Sequence, residues 1–69
     1  MSELDMDIIL GLAAHGMKVK PTARALGKHW NSVYHRIEKI RDTTKLDPLD
    51  FYDLEELLEI VKEELSEQA

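Results

Sequence analysis

Apolar residues recur at helical spacing in four stretches of the chain, with turn-forming residues between them. Leu4, Ile8, Ile9, Leu12 and Ala13 define the first stretch. Ser2 stands where an N-cap is needed, and Asp5, three residues on, is its expected capping-box partner. Residues 8–14 are almost wholly apolar, which predicts a helix buried on more than one side. Gly16 supplies a C-cap. Met17 and Val19 lead into the next element.

A short second helix is predicted over about residues 20–26. Pro21 fits only in its first turn, where the missing N–H removes no helical bond. Gly27 and Lys28 turn the chain, and His29 stands at the N-cap of a third helix over about residues 30–41. Val33, Ile37 and Ile40 form its inner stripe, leaving Asn31, Tyr34, His35, Glu38 and Arg41 nearer solvent. Residues 42–49 read as a connector closed by Pro48. Asp50 caps a fourth helix, with Asp53 at its third position. Phe51, Leu54, Leu58, Val61 and Leu65 are spaced three, four, three, four, a seam flanked by Leu57 and Ile60. Two heptads are too few for a coiled coil. The seam packs onto the small core or onto a partner. The expected architecture is all-α, a four-helix, bundle-like single domain over residues 1–69.

The second and third helices have the spacing of a helix-turn-helix. Ala23 is small enough for two helices to touch, Leu26 plugs their contact, and Gly27 makes the turn. Val33 and Ile37, four apart, anchor the second helix of the unit. Only glycine reaches left-handed backbone angles without strain. A helix leaving such a turn can lie in a major groove.

Charge sharpens this reading. The net charge of −5 hides a strong asymmetry along the chain. Residues 1–17 hold three acids and no Lys or Arg; residues 46–69 hold nine acids and only Lys62. Residues 18–45 hold eight bases against Glu38 and Asp42, a balance of +6. A basic middle coincident with the turn motif can present one face to phosphate. Ordinary solvated helix faces are the plainer explanation of the same charges.

The residues resemble a known family, the C-terminal helix-turn-helix domain of PucR/CdaR-type bacterial transcription regulators. The family pattern runs A-x-x-L-x-x-H-R-N-T-L-x-Y-R-L-x-x-I and then T-G-L-D-P-x-D. This chain has Ala23 and Leu26, then His29, Trp30, Asn31, Ser32, Val33, Tyr34, His35, Arg36, Ile37 and Ile40. Thr44, Lys45, Leu46, Asp47, Pro48 and Asp50 follow. The resemblance covers about residues 6–65. It implies a sequence-specific regulator of double-stranded DNA. The start, residues 1–5, lacks the basic region of a signal peptide, so the cytoplasm is the expected compartment. Ser32 replaces Thr, Val33 and Ile37 replace Leu, and Lys45 replaces Gly. Trp30 occupies a position usually basic, His35 one usually Tyr, and Tyr34 one where Arg is common. Family members normally end a longer protein with sensory domains. Met1 here lies just before the first helix, so the chain is expected to be a stand-alone domain, as in small phage regulators, or an excised one.

The first residues of a recognition helix meet base edges. Trp30, Asn31, Tyr34 and His35 are therefore the candidates for base contact. The Asn31 amide matches the N6/N7 edge of adenine; the alternative is an Asn that stabilises the helix start. Trp30 and Tyr34 are four apart and can instead pack on each other. Lys18, Lys20, Lys28, Ser32 and Arg36 are candidates for phosphate, contacts that position without reading sequence. Arg36 has a structural alternative, pairing with a carboxylate such as Asp42. Pairing of two copies is expected through surplus apolar residues of the fourth helix, Leu58, Val61 and Leu65.

Other classes fit poorly. His15, His29 and His35 lack metal-ligand spacing, there is no cysteine, and Gly11, Gly16 and Gly27 form no phosphate loop. No apolar run approaches ~18 residues. No catalytic residue, cofactor, metal, membrane or small-molecule partner is expected. The rival function is a protein-interaction module on the same scaffold, with Trp30 and Tyr34 as its partner face. The loss of the family's arginines favours it.

Overall fold

Ser2 Oγ accepts the N–H of Asp5 at 3.1 Å, and the first helix, α1 (Glu3–Ala14), starts there. Three more helices follow in a computed structural model that describes residues 1–68: α2 (Val19–Ala25), α3 (Trp30–Thr44) and α4 (Phe51–Gln68). The architecture is all-α, as the periodicity predicts, with no strand among the described residues. None of these helices is long and apolar enough to cross a membrane.

α1 is the hub. Its backbone runs close to α2, α3 and α4, and α2 runs close to α3. Ile8, Ile9 and Leu12 are fully buried, together with Met6 at the edge of the core. Two consecutive buried residues need an arc wider than one stripe, and three neighbouring helices supply it. Leu10, Ala13 and Ala14 nonetheless stay exposed, so the apolar run over residues 8–14 is not buried all round. Gly11 marks the closest approach to α2. A Cβ there would sit 2.7 Å from Thr22 Cγ2. Thr22 cannot easily give way, because it is fully buried and its Oγ1 donates to Lys18 O at 2.8 Å. A mid-helix glycine costs about 1 kcal/mol relative to alanine. Here it buys the contact between the two helices.

α1 ends with the N–H of Met17 donating to Leu12 O at 2.7 Å, and Gly16 takes the left-handed angle, φ 65°. This is the long-range bond of a Schellman cap. α2 begins and ends one residue before its expected bounds, and Pro21 sits in its first turn.

α3 runs three residues past its expected end. Nothing between Arg41 and Thr44 breaks a helix, and Thr44 Oγ1 closes on Ile40 O at 2.7 Å. The stop is Lys45, left-handed at φ 64°, in the position where the resembled pattern carries Gly. A left-handed non-glycine residue costs about 1–2 kcal/mol. Part of that relief is offset by the extra freedom glycine gives the unfolded chain. Lys45→Gly is therefore expected to raise the melting temperature by roughly 4 °C. Thermal unfolding followed by circular dichroism checks this, and an unchanged or lower midpoint refutes it.

The shortened connector is stitched by its own side chains. Asp47 Oδ1 accepts from Leu49 N at 2.9 Å, and Asp47 N donates to Asp53 Oδ2 at 2.9 Å. Pro48 is fully buried, and Leu46 and Leu49 pack against the core. Asp50 caps α4, its Oδ2 accepting from Asp53 N at 3.0 Å. Both aspartates at the third position of a capped helix, Asp5 and Asp53, thus turn outward. Each carboxylate binds another element, Arg36 for Asp5 and the connector for Asp53.

The apolar seam of α4 has a different phase from the expected one. Its buried line is Leu54, Leu57 and Val61. Leu57 points at the core, while Leu58 is half-buried and Phe51 and Leu65 are exposed. Val61, expected at a partner surface, is a fully buried core residue of the single chain. The seam has two readings three or four residues apart, and packing against α1 selects the one through Leu57.

Candidate nucleic-acid interface

The turn between α2 and α3 is built as a complete Schellman motif. Lys28 N donates to Ala23 O at 2.9 Å, and Gly27 N donates to Arg24 O at 3.2 Å. Gly27 has φ 67°, with open space around the position of a Cβ. Its requirement is therefore conformational, not steric. Ala23 and Val33 are buried between the two helices, and Leu26 packs against the same cluster.

His29 caps α3, its Nδ1 accepting from Asn31 N at 3.1 Å. The cap falls to His29, so the exposed Asn31 amide is not needed to start the helix. Among the described residues it makes no side-chain hydrogen bond. The Trp30 ring stacks on His29 with centroids 5.6 Å apart, and Lys20 Nζ lies 5.5 Å from the ring centroid. Trp30 is held by these neighbours rather than by a stack with Tyr34. Trp30 and Tyr34 remain 44% and 40% exposed. His35 is exposed one turn beyond Asn31.

The candidate phosphate contacts divide into two groups. Lys18, Lys20 and Lys28 are exposed and make no ion pair among the described residues. Lys20 and Lys28 line an open hollow of about 260 Å³ with His29, Trp30 and Arg24. Arg24 was not among the expected contacts. The signal for it was its place one turn after Lys20 on the same helix. Arg36 is committed elsewhere. Its Nε donates to Asp5 Oδ1 at 2.7 Å and its Nη2 to Ser2 Oγ at 3.2 Å, with both charged side chains partly buried. The partner is Asp5, not Asp42, and the bond ties α3 to the start of α1. Ser32 lies on the Arg36 side of α3, in a separate hollow lined also by Leu4, His35 and Glu38.

Asn31, His35, Glu38 and Asp42 are spaced four, three, four, all are exposed, and they form one line along α3. The two carboxylates of its far half are flanked by the exposed bases Lys39 and Arg41, and Arg41 pairs with Asp47 at 3.4 Å.

Two helices joined by a tight glycine turn, the second with an exposed and capped start, define a helix-turn-helix domain. The model of the PucR C-terminal helix-turn-helix domain family matches residues 7–59, most of the chain. The chain belongs to that family. No curated protein matches it, and no solved structure does.

Proposed function

We propose that residues 1–69 act as one sequence-specific, double-stranded DNA-binding module of a bacterial or phage transcription regulator, working in the cytoplasm as a homodimer. One observation carries the reading. Lys20, Arg24 and Lys28 line one hollow with His29 and Trp30 at the exposed start of α3, Lys18 is exposed at the N-cap of α2, and none of the four makes an ion pair among the described residues. Such cations bind phosphate and fix the register of the recognition helix. Asn31 and His35 then meet base edges, with Trp30 and Tyr34 flanking them. Arg36 acts indirectly in this reading, by holding α3 on α1. Tyr34 and Ser32 stand on opposite edges of the same exposed helix surface.

Duplex binding is expected to weaken steeply with salt. For about 3–5 neutralised phosphates, log K falls against log salt with a slope near −0.9 per phosphate. A titration of random duplex at two salt concentrations measures it. No binding at low salt, or binding indifferent to salt, removes the DNA reading. Positioning and reading separate by substitution. Lys28→Ala is expected to weaken all duplexes alike. Asn31→Ala is expected to cost roughly 1–3 kcal/mol on a preferred site and little on random DNA. Equal losses on both kinds of duplex from Asn31→Ala would take it off the list of base readers.

The exposed Trp30 and Tyr34 rings support a second reading, a partner-protein face on the same scaffold. The salt titration decides between the two, since an aromatic partner face gives no duplex binding.

A further inference from the structure

A helix that reads so few base pairs needs a second copy beside it, and α4 has a surface suited to one. Phe51, Leu58 and Leu65 are seven apart, so they lie in one line along α4. Phe51 is 55% and Leu65 42% exposed, large values for residues of this size on a chain this small. The line is wider than α4 alone, because α1 runs beside it. Leu58 shares an apolar hollow of about 370 Å³ with Ala13 and Met17, and Leu65 shares a second, half-polar one with Leu10, Glu3 and Asp7. Together they form a strip roughly 20 Å long, by the 1.5 Å rise per residue of an α-helix. None of these residues lines the basic hollow around Trp30.

The charges beside the strip select its occupant. Lys62 is the only base in residues 46–69, and it stands next to this line, one heptad after Glu55. Its partner within the chain is Glu59 at 3.8 Å, with both side chains more than two-thirds exposed. That contact is weak and readily exchanged. An antiparallel pair of α4 helices crossing at Leu58 brings Phe51 of one copy against Leu65 of the other. The same register brings Lys62, four residues after the crossing point, beside Glu55, three residues before it. Apolar and charged positions are both self-complementary about one two-fold axis, as an isologous interface requires.

We infer that the protein pairs with a second copy of itself through the Phe51–Leu58–Leu65 line of α4, exposed at both ends and half-buried at Leu58, flanked by Leu10 and Ala13 of α1, with α4 antiparallel to its mate and Lys62 facing the mate's Glu55. This rests on the dimeric part of the reading above and gives it a surface. The strip is small by the measure of stable interfaces, so pairing is of the transient class. Monomer and dimer exchange with concentration, and two adjacent half-sites draw the copies together.

The test is sedimentation equilibrium of the whole chain without DNA, from about 10 µM to 1 mM, a range chosen for a transient interface. Its outcome is independent of whether duplex binding is found. The wild type is expected to show a concentration-dependent dimer. Leu65→Glu, at an exposed position, is expected to abolish it while helicity by circular dichroism stays unchanged. Glu55→Lys and Lys62→Glu, each setting like charges together in two symmetric places, are expected to weaken pairing about three- to tenfold. The double variant Glu55→Lys/Lys62→Glu is expected to restore it. A wild type that stays monomeric at the top of the range overturns the inference, including the case where it instead captures a basic amphipathic peptide. A dimer that survives Leu65→Glu overturns it too. Single charge variants without effect, or a double variant that fails to recover, overturn the register and with it the assignment.

Discussion

Val61→Asp is expected to unfold the protein outright. Val61 is fully enclosed with Leu57 and Leu54 against the α1 core, and no cation lies in that cluster. An unpaired carboxylate there costs several kcal/mol or must be taken up as the neutral acid. A domain of this length has only about 3–5 kcal/mol of stability to lose. Circular dichroism is expected to show loss of helix at room temperature. Val61→Ala is expected to destabilise by about 1–3 kcal/mol, with cooperative unfolding retained. Leu65→Glu, one turn further along the same helix, is expected to change stability by less than about 0.5 kcal/mol, as at other exposed positions. If Val61→Asp remains as helical and as stable as wild type, α4 does not pack on α1 through Val61.

The largest functional loss is expected from removing Lys20, Arg24 and Lys28 together. These three line one hollow beside the exposed start of α3 and have no acidic partner among the described residues. Replacing all three by Ala is expected to make the salt slope shallower by about 3, near one unit per lost phosphate contact. Duplex affinity at low salt is expected to fall roughly a thousandfold, taking about 1.5 kcal/mol for each charge-assisted contact. Fluorescence anisotropy at several salt concentrations reads both quantities. Trp30 fluorescence reports the same site independently, because Lys20 stands over its ring in the free protein. An unchanged slope would place the phosphate-binding surface elsewhere on the molecule. Arg36→Ala offers a contrast. It is expected to lower stability, by breaking the bond to Asp5, and to leave the salt slope of the folded protein nearly unchanged.

The helix-turn-helix was legible because its requirements are local. Gly27 must be left-handed, Ala23 must be small, and Val33 and Ile37 must repeat on one face, so each residue declares its role within a few positions. The same is true of the caps at Ser2, His29 and Asp50, each a side chain reaching two or three residues ahead. What escaped reading depends on distant packing. Arg36 and Asp5 are 31 residues apart, and no spacing rule joins them. The phase of α4 was ambiguous because Leu57 and Leu58 are adjacent and both apolar, and only the α1 surface chooses between them. The end of α3 was missed because Lys45 holds a left-handed angle that its side chain disfavours. The connector beyond it is fixed by buried Pro48 and by the bond from Asp47 N to Asp53 Oδ2. Within the candidate interface, Arg24 follows Lys20 by one turn, but only the fold shows that it lines the same hollow as Trp30.

The central place of α1 has a consequence for how the molecule is made. Ile8, Ile9 and Leu12 are made well before the helix that covers one side of them. Leu54, Leu57 and Val61 follow Leu12 by more than forty residues. At ordinary rates of synthesis that interval lasts roughly 2–10 s. Through it the apolar face of α1 lacks its last partner. Both helices of the recognition unit are made before α4, and α4 closes the domain as a final latch.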